Sequence, residues 1–208
     1  MASFPCMFLL FPLLITNPFI QPAFSDLETQ ELIEKICRQC EDYGQCEDYG
    51  FCNRIFNENL KTPTTDVEGL AQITVEQSLY YATNTYIFVK KLIANTSDAT
   101  VRDHLRVCDN SYNAVLNLFQ EAFRSFDLKD YRSMMAYEWD TQRAAATCDA
   151  IFSADSLSID PLIRRNKKMR ILIAMTLKLV LFLSLDGHSF VMVSLLQSIL
   201  KLMKVILE

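Results

Sequence analysis

Seven cysteines stand in the 208-residue chain, and six of them, Cys37, Cys40, Cys46, Cys52, Cys108 and Cys148, lie beyond residue 25. Thiols at such spacings can cross-link the backbone, hold a zinc ion or exchange disulfides, and the compartment selects among these. Met1 to Ser25 has no charged side chain, carries an apolar run from Cys6 to Ile15 and closes on Ala23-Phe24-Ser25. This reads as a cleavable secretory signal over residues 1–25, since the run is too short to span a bilayer and Pro12 and Pro18 interrupt it. Cys6 leaves with that segment, and an even set of six remains to pair in an oxidising compartment. A zinc site built from Cys37-x2-Cys40 with Cys46 and Cys52 is the weaker reading, because export and the acidic spacers favour bridges. A redox role for Cys37-Arg38-Gln39-Cys40 lacks the surrounding βαβ pattern.

Other reactive side chains form no catalytic constellation. His104 and His188 have no sequence tie to a nucleophile, and the pairs Glu41-Asp42 and Glu47-Asp48 flank glycine-bearing turns, where solvated carboxylates are the expected state. No nucleophile elbow, phosphate loop, dinucleotide fingerprint or metalloprotease helix occurs in the sequence. No cofactor, no metal and no enzymatic activity are therefore expected, and recognition is the expected function.

The elements that must position these groups are helices. Only four glycines occur in the whole chain, too few for β-hairpin turns, while apolar residues recur by threes and fours. One stripe runs Ala71, Val75, Leu79, Ala82, Tyr86, Val89, Ile93. A second runs Val101, Leu105, Cys108, Tyr112, Val115, Phe119, Ala122, Phe126. A third uses Met135, Trp139, Ala145, Cys148 and Phe152, and a fourth Leu172, Met175, Leu179 and Phe182. Four long amphipathic helices with short polar connections predict an all-α, antiparallel four-helix bundle over residues 66–185. Ser97 or Asp98 offers an N-cap to the second of these helices, and Pro161 suits the first turn of the fourth.

Two shorter helices, about Leu27 to Cys40 and about Phe51 to Leu60, predict an N-terminal helical hairpin over residues 26–62. Residues 186–208 read as a further amphipathic helix beyond a Gly187 break, too rich in Lys201 and Lys204 to span a membrane. Cys108 and Cys148 fall on inward stripes of consecutive antiparallel helices, so a bridge between them would staple the bundle. In the hairpin, a nested pairing of Cys37 with Cys52 and Cys40 with Cys46 satisfies all four thiols. Cys40 to Gln45 is nearly repeated by Cys46 to Phe51, which looks like a small tandem duplication that brought an extra cysteine.

The net charge of −5 is unevenly spread. From Pro161 onward eight basic residues face only Asp186 and Glu208, a balance of +6, which leaves −11 for everything before. An acidic body excludes a nucleic-acid binder, which needs a basic face for phosphate. Asn95-Thr96-Ser97 forms an N-glycosylation sequon, with Asn95 as the acceptor, between two helices.

The stretch Val107-Cys108-Asp109-Asn110-Ser111-Tyr112-Asn113-Ala114-Val115-Leu116-Asn117-Leu118, together with Thr147-Cys148-Asp149-Ala150-Ile151-Phe152 and the later Pro161-Leu162 and Asn166, resembles the plant invertase and pectin methylesterase inhibitors. The likeness covers about residues 27 to 185, and the fourteen residues between Cys37 and Cys52 are similar to the long-spaced subgroup of invertase inhibitors that includes pollen allergens. The resemblance implies Cys37–Cys52 as the family bridge, with Cys40 and Cys46 an addition. It further implies a secreted protein inhibitor in the cell wall or vacuole. Such an inhibitor would bind an acid invertase or a pectin methylesterase one-to-one and block its cleft, without a membrane or nucleic acid as partner. Where invertase-directed members carry Pro-Lys-Phe, this chain has Asp127-Leu128-Lys129-Asp130-Tyr131, so Lys129 and Tyr131 are the implied target contacts. The alternative is a non-inhibitory secreted bundle of allergen or storage type. A hairpin that cannot bury enough apolar surface alone predicts a monomer or a hairpin-exchanged dimer.

Overall fold

A computed structural model describes residues 26–42, 48–154 and 159–184, and every element in them is an α-helix. The expected signal segment, Cys46 and the expected helix over 186–208 lie outside the described residues. In chain order the helices are α1 (Leu27–Asp42), α2 (Tyr49–Asn59), α3 (Val67–Asn95), α4 (Ala99–Asp127), α5 (Tyr131–Ala154) and α6 (Asp160–Ser184). Aspartates start most of them. The carboxylates of Asp26, Asp48, Asp66, Asp98 and Asp130 each accept a bond from the backbone N–H three residues on, at 2.8–3.1 Å, satisfying donors that a helix start leaves open. Asp98, rather than Ser97, caps α4, and Pro161 lies in the first turn of α6.

Helix α3 packs on α4 and α6, and α5 packs on the same two, so the four long helices close a ring around one interior. The hairpin of α1 and α2 lies on the bundle of its own chain, against α6 and, through α2, against α3. Two apolar clusters fill the interior. One surrounds the Cys108–Cys148 bridge with Leu105, Tyr112, Phe119, Phe152 and Met169. The other, at the opposite end, joins hairpin residues Ile33, Ile36, Phe51 and Phe56 to Leu70, Met134, Leu172 and Met175 of the bundle. Helix α6 is therefore covered on two sides, and Ile171 through Thr176 are buried without a break. The sequence stripe of α6 supplied only one of those faces.

Two inward stripes differ from the sequence reading. On α5, Trp139 is not core: it is 50% exposed, and Glu138 takes the interior position with no exposed surface. The buried line is Met134, Glu138, Thr141, Ala145, Cys148, Phe152, with steps of four and three throughout. Trp139 to Ala145 is a step of six, which no helical face allows; hydrophobicity favoured the wrong residue and geometry the right one. On α3 the fully buried line runs through Ser78 and Thr85, while Leu79 and Tyr86 flank it half-buried. Thr85 tolerates this by donating its hydroxyl to the Tyr81 carbonyl at 2.8 Å.

Candidate functional site

Three helices are tied together at one level of the bundle. Cys108 of α4 and Cys148 of α5 are bridged, with Cα atoms 4.6 Å apart. Directly beside them, the Tyr112 hydroxyl donates to Asn166 Oδ1 of α6. The Asn166 amide then donates to Asp149 Oδ1 at 2.6 Å and approaches Cys148 Sγ at 3.5 Å. Arg170 closes the network on the other Asp149 oxygen. Burial pushes the Tyr112 phenol upward, with the Asp149 charge adding to it, so the hydroxyl stays a donor. The family-like residues around Cys108, Cys148 and Asn166 thus form a scaffold rather than a reactive centre.

The hairpin is stapled by Cys37–Cys52, with Cα atoms 5.7 Å apart. Cys40 is disulfide-bonded as well. Oxidised sulfurs are not thiolate ligands, which removes the Cys37-x2-Cys40 zinc reading. Among the described residues no group of three or more His, Cys, Asp or Glu is placed to hold a metal. Asp48 is occupied as the α2 cap, and His104 packs edge-on against Phe152 with ring centroids 5.7 Å apart. Both are structural positions. Among the described residues no helix is long and apolar enough to cross a membrane.

The connection between α4 and α5 is a tight corner held by backbone hydrogen bonds. Lys129 takes a left-handed conformation with φ 57°, and its N–H donates to the Phe126 carbonyl while that of Asp130 donates to Ser125, both at 2.9 Å. Reversal by a single left-handed residue is the usual way a helix ends. It turns Leu128 outward, 79% exposed. Tyr131, half-buried, packs on Phe126 with centroids 6.4 Å apart.

The Lys129 ammonium reaches Glu68 at the start of α3, 3.2 Å away, and this bond holds its pKa above the ordinary lysine value. Lys129 is thus tethered, although an exposed ion pair is weak enough to exchange partners. Two turns along α5 from Tyr131 stands the exposed Trp139. The corner itself exposes an apolar tip, Leu128, beside the Lys129 cation. Trp139 is the ring that the sequence reading placed in the core and the structure leaves half exposed. Asn95, at the other end of α3, is exposed and donates its amide to the Lys91 carbonyl at 2.8 Å.

Fold and site together define a disulfide-stapled helical bundle with an N-terminal hairpin. The chain belongs to the plant invertase/pectin methylesterase inhibitor family, whose model matches residues 31–179. It is similar to a "Putative invertase inhibitor" of Platanus acerifolia, 23% identical over 107 residues, or 51% of this chain. That match spans 60% of the relative's length. Among solved structures it resembles a mutant form of a pectin methylesterase inhibitor from Arabidopsis, at 19% identity and a TM-score of 0.61, covering 70% of this chain and 95% of that one. A second pectin methylesterase inhibitor, from Arabidopsis thaliana, gives a TM-score of 0.55 at 19% identity, covering 74% and 96%. These relatives are named as inhibitors, not as enzymes.

Proposed function

We propose that the chain is a secreted protein inhibitor of an acid invertase or a pectin methylesterase, acting in the cell wall or vacuole by forming a one-to-one complex over the substrate cleft. The observation that carries this reading is the family match, which spans both the hairpin bridge and the bundle bridge. Residues 1–25 serve as the signal for export, residues 26–62 and 66–185 as hairpin and bundle, and Asn95 as an acceptor for N-linked glycan.

The α4–α5 corner is the contact surface. Leu128 and Trp139 supply apolar anchors of the kind that dominate interface energies, and Lys129 supplies a charge for the carboxylates of a carbohydrate-cleaving site. In the complex the Lys129 ammonium leaves Glu68 for the target, an exchange of one carboxylate partner for another. Titration of the purified protein against acid invertase and against pectin methylesterase, each at about pH 5, tests the proposal. Stoichiometric loss of activity in one of the two is expected. If both retain full activity at a tenfold excess of the protein, the non-inhibitory bundle replaces this reading.

A further inference from the structure

On the side of the bundle where α3 meets α6, a groove of about 600 Å³ runs between the two helices. Its α3 wall includes the stripe Tyr80, Asn84, Ile87 and Lys91, with steps of four, three and four, flanked by Tyr81 and Phe88. Its α6 wall carries Arg164, Arg165 and Lys168, and no carboxylate lines it. From Tyr80 to Lys91 the groove extends about 16 Å along the α3 axis.

The composition of this groove opposes that of the molecule around it. In a chain of net charge −5 it gathers four cations, and cations lining one concave surface focus their field outward. Aromatic rings lie between the charges. Tyr80 is 60% exposed and stands edge-on to Tyr81, with centroids 5.9 Å apart. The Arg165 guanidinium lies over the Phe88 ring at 4.5 Å, and the Lys168 ammonium over Phe51 at 5.5 Å. Phe88 and Phe51 thereby hold these cations at the groove without neutralising them.

We propose that this groove binds an acidic polysaccharide, a linear chain of uronic acids. A pyranose ring offers an apolar C–H face that an exposed tyrosine can cover, and a carboxylate on each ring offers the anion that repeated cations require. The groove's dimensions favour a single extended chain over a protein. Ten residues line it, against about 20–30 residues per side in a stable protein interface. The site lies on the α3–α6 face, not at the α4–α5 corner, and does not depend on which enzyme the protein inhibits.

The test uses protein purified after expression of the full sequence, with de-esterified polygalacturonate as the probe. The same polymer fully methyl-esterified and poly-glutamate are the comparisons. The wild-type protein binds polygalacturonate and not the esterified polymer, with binding that weakens as salt is raised. The triple variant Lys91→Gln, Arg164→Gln, Lys168→Gln binds about tenfold more weakly, because three cationic contacts of modest strength are lost together. A control with the same charge change elsewhere, Lys61→Gln, Arg106→Gln, Arg132→Gln, binds as wild type does. Tyr80→Ala weakens polygalacturonate binding while its circular dichroism stays unchanged. Equal binding by the groove variant and the wild type overturns the proposal, as does an equal loss in the control. Equal binding of the esterified polymer also overturns it, and equal competition by poly-glutamate reassigns the groove to an acidic protein surface.

Discussion

Glu138 sits at the centre of the α5 inward stripe with no exposed surface, and neither carboxyl oxygen has a hydrogen-bond partner. Its neighbour Thr141 already donates its hydroxyl to the Tyr137 carbonyl. Register places it in mid-bundle. Ten residues from Cys148 of the bridge, it is level with the neighbourhood of Phe119 on α4. Burial, with no opposing charge, pushes its pKa from 4.5 up to about 8. The folded protein therefore keeps a proton that the unfolded chain releases above about 4.5, so stability is full below that pH and falls as pH rises toward 8. At about 1.36 kcal/mol per pH unit, the loss between pH 4.5 and 7.5 is about 4 kcal/mol, a large share of the roughly 5–15 kcal/mol that holds a domain together.

Among the described residues the other displaced groups leave this window clear. Lys178, lowered to about 8 by burial, contributes its slope above that value, and Asp26 and Asp130, lowered by their cap bonds, contribute theirs below 3.8. Glu138→Gln removes the titration and nothing else of similar size. Urea unfolding followed by far-ultraviolet circular dichroism, from pH 4.5 to 7.5, should give a steep decline for the wild type and a nearly flat line for the variant. Fluorescence is the poorer probe, since the one tryptophan, Trp139, is already half exposed. Parallel curves for the two proteins would refute the reasoning.

Replacing Cys108 and Cys148 together by alanine should cost about 2–5 kcal/mol, because the bridge closes a loop of sequence separation 40; denaturation midpoints of oxidised wild type and variant measure it, and equal midpoints contradict it. Tyr112→Phe should cost about 1–3 kcal/mol, since it leaves Asn166 Oδ1 buried without its donor; a loss under 0.5 kcal/mol in the same unfolding assay would remove the network from the stabilising features. If an invertase is the target, Lys129→Ala should raise the inhibition constant about tenfold with the unfolding midpoint unchanged; an unaltered constant discards the contact. Trp139→Ala should weaken the complex with whichever enzyme is inhibited, again about tenfold or more, and calorimetric titration reads this directly.

The all-α class and the helix order were legible in the sequence because each depends on residues within a few positions of one another; of the aspartate caps only Asp98 was anticipated, as one of two candidates. Helix α4 shows this best: every residue from Leu105 to Phe126 in its sequence stripe is buried, since its period is unbroken and its apolar face is wide. The pairing of Cys108 with Cys148 followed from two such stripes facing each other. The family resemblance was legible as well, through the residues around those two cysteines and Asn166.

What only the tertiary structure decided lies between elements. Glu138 and Trp139 are adjacent in sequence, and although the spacing to Ala145 suits Glu138, hydropathy ranks them in the opposite order; that the carboxyl is then fully enclosed follows from the helices packed around α5. The second buried face of α6 exists because the hairpin rests on it, an arrangement some 120 residues distant in sequence from α6. Lys129 is tied to Glu68 across 61 residues, and the cations of α6 acquire their aromatic neighbours from α2 and α3. Local spacing fixes which residues share a helix face, but the direction of that face, and what stands opposite it, is set by packing among all six helices at once.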